Sequence, residues 1–182
     1  MADENSWNSQ YGRRTGEGAI AWGLNRLNQY EYSMEGSRNG SDGTMDCSGF
    51  VGTAYGFTTI ATPGMDAVYT SHGFQNMGML PASQLKHGDV IVNPGAGGDG
   101  HTVIVYRDGS TTFLQMHGPS GYDEVKETTT KDENGNEVVT TEIIHHKGAS
   151  GPDLSGWSGW SAPGNFVLRP LDGVFIDHFE RN

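Results

Sequence analysis

Glycine recurs too often in this sequence to leave room for long regular elements. Of its 182 residues 28 are Gly, roughly twice the usual ~7% share. They gather at 36–49, 95–100 and 148–164, among Ser, Asn, Asp and Pro. That is turn chemistry, because only glycine takes a positive φ without steric cost. Leu, Ile, Val and Phe together supply 33 residues, a low aliphatic share that in a strongly charged chain would signal disorder. Here the net charge of -11 is thinly spread, and 4 Trp, 7 Tyr and 7 Met add apolar surface. The sequence therefore reads as a loop-rich folded domain and not as a helical bundle.

Several function classes drop out. No apolar run approaches the ~18 residues of a membrane-crossing helix, so no membrane insertion is expected. The start, Met1-Ala-Asp-Glu-Asn-Ser-Trp7, has neither a basic n-region nor an apolar h-region. No secretory signal is expected, and export would use another route. The chain carries 11 Lys+Arg against 22 Asp+Glu, with no basic cluster longer than Arg13-Arg14, which argues against a nucleic-acid partner. A single cysteine makes neither an internal disulfide nor a Cys-rich zinc site. His145 and His146 are adjacent, so in a strand they face opposite ways. We expect no metal and no cofactor.

Residues 1–14 read as a flexible arm and 15–182 as one domain. Ile20, Leu24 and Leu27 recur at helical spacing. A glycine-rich loop then leads to a second helix with Phe50, Val51, Ala54 and Tyr55 on one face and Asp46 or Ser48 as its N-cap. A third short helix is expected near 65–69. Strands are expected at 89–93, 101–107 and 111–117, the last two forming a hairpin. A Thr-rich, charged hairpin at 124–131 and 137–144, inside an insertion spanning 119–150, is predicted to turn on the Asn134-Gly135 pair and to face water. Apolar runs at 165–169 and 173–176 close the chain. Helices first and strands later predict an α+β domain with an antiparallel sheet.

Cys47 is the first residue with chemical promise. Its neighbours Asp46, Ser48 and Gly49 are small or polar, and it sits where the glycine loop enters a helix. The amides and dipole of a helix start stabilise a thiolate. A thiol nucleophile needs a base that later protonates the leaving amine, usually histidine. Among seven histidines, His101 opens a strand directly after the loop 95–100. A third polar group must fix its tautomer. If the hairpin loop is Asp108-Gly109-Ser110, both Gln115 and His117 share a sheet face with His101; a two-residue loop would turn both away.

Asp46-Cys47-Ser48-Gly49-Phe50-Val51, a preceding Tyr32-Ser-Met-Glu-Gly36, then Gly88-Asp89-Val90 and Gly100-His101-Thr-Val-Ile-Val-Tyr106 resemble the NlpC-type cysteine peptidases in order and spacing. Those are papain-like α+β domains that cleave peptide bonds in bacterial peptidoglycan. The stretch from Tyr32 to Ser48 is similar also to the amidase domains of phage endolysins. The resemblance covers roughly residues 17–117. It implies Cys47 as nucleophile, His101 as base and acid, and Gln115 as the orienting third residue, with His117 the alternative. It further implies Tyr32 beside the cleft, where it bonds substrate or helps the Cys47 N–H hold an oxyanion, and Asp46 and Ser48 as substrate contacts.

On this reading the chain is an N-acetylmuramoyl-L-alanine amidase or a stem-peptide endopeptidase. It would act on the wall after phage-mediated or other non-classical delivery, with peptidoglycan and a phage particle or other carrier as partners. Two further readings stay open: a virion-associated docking module that keeps the fold, and a delivered antibacterial toxin using the same chemistry. Trp157 and Trp160 are expected to pack rather than to stack on sugars, and His87 to lie in a solvated turn.

Overall fold

Short polar side chains set the helix starts. In a computed structural model, which describes residues 15–57, 60–95, 100–116, 122–146 and 150–171, Thr15 accepts from the Gly18 N–H and opens α1 (Gly16–Leu24). A small parallel pair follows, β1 (Tyr30–Tyr32) and β2 (Thr44–Met45). Asp46 then accepts from the Gly49 N–H and caps α2 (Cys47–Ala54), satisfying one of the orphan donors of a helix start. A third helix, α3 (Met65–Thr70), leads to β3 (Phe74–Asn76).

The strands that follow are β4 (Val90–Asn93), β5 (His101–Val105), β6 (Phe113–Gln115), β7 (Tyr122–Lys131), β8 (Glu137–His146), β9 (Ser150–Gly151), β10 (Asp153–Ser155) and β11 (Phe166–Pro170). Five of them and β3 form an antiparallel sheet in the order β10-β6-β5-β4-β11-β3. The two-residue period sorts its apolar side chains. Val90, Val92, Ile104, Leu114 and Leu168 meet Phe50, Val51 and Ala54 of α2 and Ala19, Ile20 and Trp22 of α1. Ile91, Val103, Val105, Phe113 and Val167 turn the other way, under Leu85, Trp157 and Trp160. Helix α1 lies so close that a Cβ on Gly23 would come within 2.5 Å of Leu114 Cδ2. The α+β expectation with an antiparallel sheet holds.

A part-buried ion pair ties two neighbouring strands in the interior of this sheet. Arg169 of β11 forks onto Asp89, Nε to Oδ1 at 2.9 Å and one Nη to Oδ2 at 2.7 Å, and the same Nη reaches the Gln84 carbonyl at 2.9 Å. Asp89 is fully buried and lies just ahead of β4.

Differences from the sequence expectations are local. Strands β1, β2, β3, β9 and β10 are two or three residues long, too short to show alternation. The ribbon β7–β8 pairs Lys131 with Glu137, and residues 127–142 are exposed throughout. Its loop is not the expected two-residue turn. Asp132 bonds to Asn136, the Gly135 N–H returns to the Asp132 carbonyl, and Gly135 takes φ +80, a three-residue loop ending in a left-handed glycine. The Asp132 carboxylate causes this by accepting from the Asn134 and Asn136 N–H groups. The arm 1–14 and the run 173–176 lie outside the described residues.

Candidate active site

The nucleophile candidate stands at the first residue of α2. The Thr102 N–H, the Tyr32 hydroxyl and the Ser48 N–H lie near enough to Cys47 to ease ionisation of its thiol. Thr102 directly follows His101, so the start of α2 abuts the start of β5. Tyr32 arrives through the small sheet, where β1 pairs Tyr32 with Met45, two residues before Cys47. The Cys47 backbone N–H lies beside the Tyr32 hydroxyl. Burial, then Cys47 and Asp46, hold the phenol well above its ordinary value, so it stays a donor.

The stabilisation of a thiolate expected from the helix start meets opposition at Cys47. Burial first, then the Asp46 carboxylate, push the Cys47 thiol above its ordinary value despite the three donors. Cys47 is only 5% exposed. The carboxylate that caps the helix stands next to the sulfur and opposes the positive end of the dipole.

His101 and Gln115 meet as the three-residue loop requires. Hairpin β5–β6 pairs Ile104 with Leu114 and Val105 with Phe113, which sets Gln115 opposite Val103 and on the His101 face. His101 Nε2 lies 2.8 Å from Gln115 Oε1. The amide orientation follows from its other end: Gln115 Nε2 donates to Ser155 Oγ at 3.0 Å, the Gly156 carbonyl at 3.0 Å and the Ser155 carbonyl at 3.3 Å. With Oε1 as acceptor, His101 Nε2 carries the proton and Nδ1 carries the lone pair of the neutral ring. His117, the alternative partner, lies outside the described residues.

Asp46 and Ser48 are buried and joined to a residue the sequence did not single out. Arg38 Nε lies 2.6 Å from Asp46 Oδ2, and an Arg38 Nη donates to Ser48 Oγ at 2.8 Å. These bonds hold the frame of the site. Arg38 takes φ +64, and its carbonyl packs so tightly on α2 that a Cβ on Gly49 would sit 1.9 Å away. The Arg38 loop is stitched by Asp42, which accepts from Ser37 Oγ and Thr44 Oγ1, both at 2.6 Å. Those bonds, Ser37 first, keep its carboxyl far below the usual range. An unpaired-looking arginine in a glycine loop eight residues before the Asp-Cys pair was the available signal.

Trp157 closes one side of the histidine. Its ring meets that of His101 edge-on, centroids 4.7 Å apart at 84°, and Trp160 packs on Phe113. Both tryptophans pack against the outer cluster, as expected. His87, by contrast, is 41% exposed and pairs with Asp108, away from Cys47 in the opposite end of β5.

Residues 28–142, more than half of the chain, match the NlpC/P60 family. The chain belongs to that family. NlpC/P60 domains are papain-like, in agreement with the helices and antiparallel sheet seen here. NlpC/P60 members are cysteine peptidases and amidases that act on cell-wall peptidoglycan. The match spans Tyr32, Cys47, His101 and Gln115 and runs on into β8. No individual curated protein matches the chain.

Proposed function

We propose that this NlpC/P60 protein hydrolyses an amide bond of peptidoglycan through a thioacyl intermediate on Cys47. The observation that carries the reading is the His101 Nε2 to Gln115 Oε1 bond, 2.8 Å long, on a strand whose next amide, that of Thr102, lies near Cys47. His101 Nδ1 takes the thiol proton as sulfur attacks the carbonyl carbon, forming C–S and placing the electron pair on oxygen. The Cys47 N–H and the Tyr32 hydroxyl receive that oxyanion. Collapse breaks C–N, and His101 returns its proton to the leaving amine. Water, deprotonated by the same ring, then cleaves the thioester and restores the thiol. Because burial and the Asp46 carboxylate disfavour the thiolate, proton transfer to His101 accompanies the attack. We assign Asp46 and Ser48 to support of the site.

Of the two bonds considered, the likeness of residues 32–48 to phage endolysin amidases favours the N-acetylmuramoyl-L-alanine junction, with phage delivery as the corresponding route. Digestion of purified walls by wild type and Cys47→Ala, with fragments weighed by mass spectrometry, tests this. Free glycan strands with intact stem peptides are the expected product; cut stem peptides would assign the endopeptidase instead. Equal release by Cys47→Ala would defeat the mechanism.

A further inference from the structure

The bond between His101 and Gln115 is the inner end of a longer chain. Strand β10 pairs antiparallel with β6 and sets Asp153 directly opposite Gln115, with Ser155 opposite Phe113. The Ser155 hydroxyl donates to Asp153 Oδ1. With its proton so engaged, Ser155 Oγ presents lone pairs, and Gln115 Nε2 donates to them at 3.0 Å. That leaves Oε1 for His101, at 2.8 Å. Every donor in the series points the same way, from the imidazole toward the carboxylate.

We propose that Asp153, acting through Ser155 and Gln115, is a positioning residue that fixes the tautomer of His101. An amide has nearly equal shape in its two orientations, and only the hydrogen-bond pattern around it selects one. A serine hydroxyl is a rotor that donates or accepts. Freed from Asp153, it can donate to a flipped Gln115 whose NH2 then faces His101, offsetting in part the preference that the Ser155 and Gly156 carbonyls set. A donor there favours the tautomer with the proton on Nδ1, the nitrogen that must accept the thiol proton. The carboxylate removes this alternative by taking up the hydroxyl proton. Aligned dipoles in such a series also reinforce one another. This assignment rests on the proposed Cys47/His101 chemistry for its effect on rate, and on geometry alone for its effect on the ring.

The test uses the full chain labelled with 15N-histidine, whose long-range 1H–15N spectra report which ring nitrogen holds the proton; His101→Asn identifies the signals. Wild type is expected in the Nε2–H form. Asp153→Ala is expected to admit a share of the Nδ1–H form and to lower kcat roughly two- to threefold with KM unchanged, a part of the ~10²–10⁴ that general acid–base catalysis supplies. Adding Ser155→Ala to Asp153→Ala removes the competing hydroxyl and should restore most of both, because the Ser155 and Gly156 carbonyls still orient the amide. A merely structural role gives additive losses instead. Should Asp153→Ala not fold, Asp153→Asn carries the same direction at smaller amplitude. An unchanged tautomer in the Asp153 variants, or a double variant worse than the single, overturns the proposal. The spectra need no substrate: a tautomer shift in a chain that cleaves no wall defeats the proposed function alone, and wall cleavage with an unmoved tautomer defeats this inference alone.

Discussion

Arg38 Nε lies 2.6 Å from Asp46 Oδ2, so the residue that caps the nucleophile's helix is itself held by a cation from the preceding loop. The same guanidinium reaches Ser48 on the far side of Cys47. The nucleophile is thus bracketed by two side chains that share one anchor. Position at the start of α2 depends on the loop as much as on the helix.

Arg38→Met should therefore destabilise the fold and impair the site together. It leaves the Asp46 carboxylate buried with its cation gone. Losing one partner of a fully buried pair costs about 3–5 kcal/mol; the Arg38 side chain is 25% exposed, so we expect about 2 kcal/mol. Thermal denaturation should show Tm lowered by about 4–8 °C.

Gly49→Ala should be worse than its single methyl implies. The new Cβ would stand 1.9 Å from the Arg38 carbonyl oxygen, a backbone atom that moves only with the loop. Overpacking of this kind costs about 3 kcal/mol. Gly156→Ala is the control, since a Cβ there meets nothing within 4 Å, and urea titrations of the two variants should separate them clearly.

The state of Cys47 is visible in its pH dependence. With its thiol above the ordinary value, alkylation by iodoacetamide should be slower near neutrality than for a free cysteine. It should keep rising past the usual thiol range. Tyr32→Phe removes a donor to the sulfur and should move the inflection higher still. The linked effect on stability has a definite sign: a neutral thiol favoured by the fold contributes fully below the unfolded thiol's value, and its contribution is lost as pH climbs through the folded one. Cys47→Ser should flatten that alkaline decline in denaturant midpoints.

Arg169→Leu should weaken the junction of β4 and β11. Asp89 would be left fully buried without its forked partner; the Arg169 side chain is 20% exposed, so we expect a loss of about 2 kcal/mol. Pairing it with Asp89→Asn should recover part of the loss, which a double-mutant cycle in urea would measure.

What could be read from the sequence follows physical range. The meeting of His101 and Gln115 was legible because a hairpin's loop length fixes its register and its faces. The helix entering at Cys47 was legible from Asp46 and the apolar face behind it. Asp153 and Ser155 were not, because β10 is three residues long inside a Gly/Ser stretch and its partner is 38 positions away. Arg38 escaped notice because its left-handed backbone and its grip on Asp46 arise only when the loop folds over α2. The opposition to a thiolate escaped for the same reason: burial is a property of the packed molecule, whereas a helix start is local. The turn at 132–136 failed through a competitor, a carboxylate able to seize two amides.

The ribbon leaves and rejoins the fold almost at one point, since Tyr122 pairs with His146, while its far end at Asp132 to Asn136 is fully in solvent. A tether, label or whole guest domain spliced at Gly135 would add length at the tip without altering how β6 and β10 approach each other. The molecule thus carries a handle at the ribbon tip through which a wall-binding module could be attached by engineering.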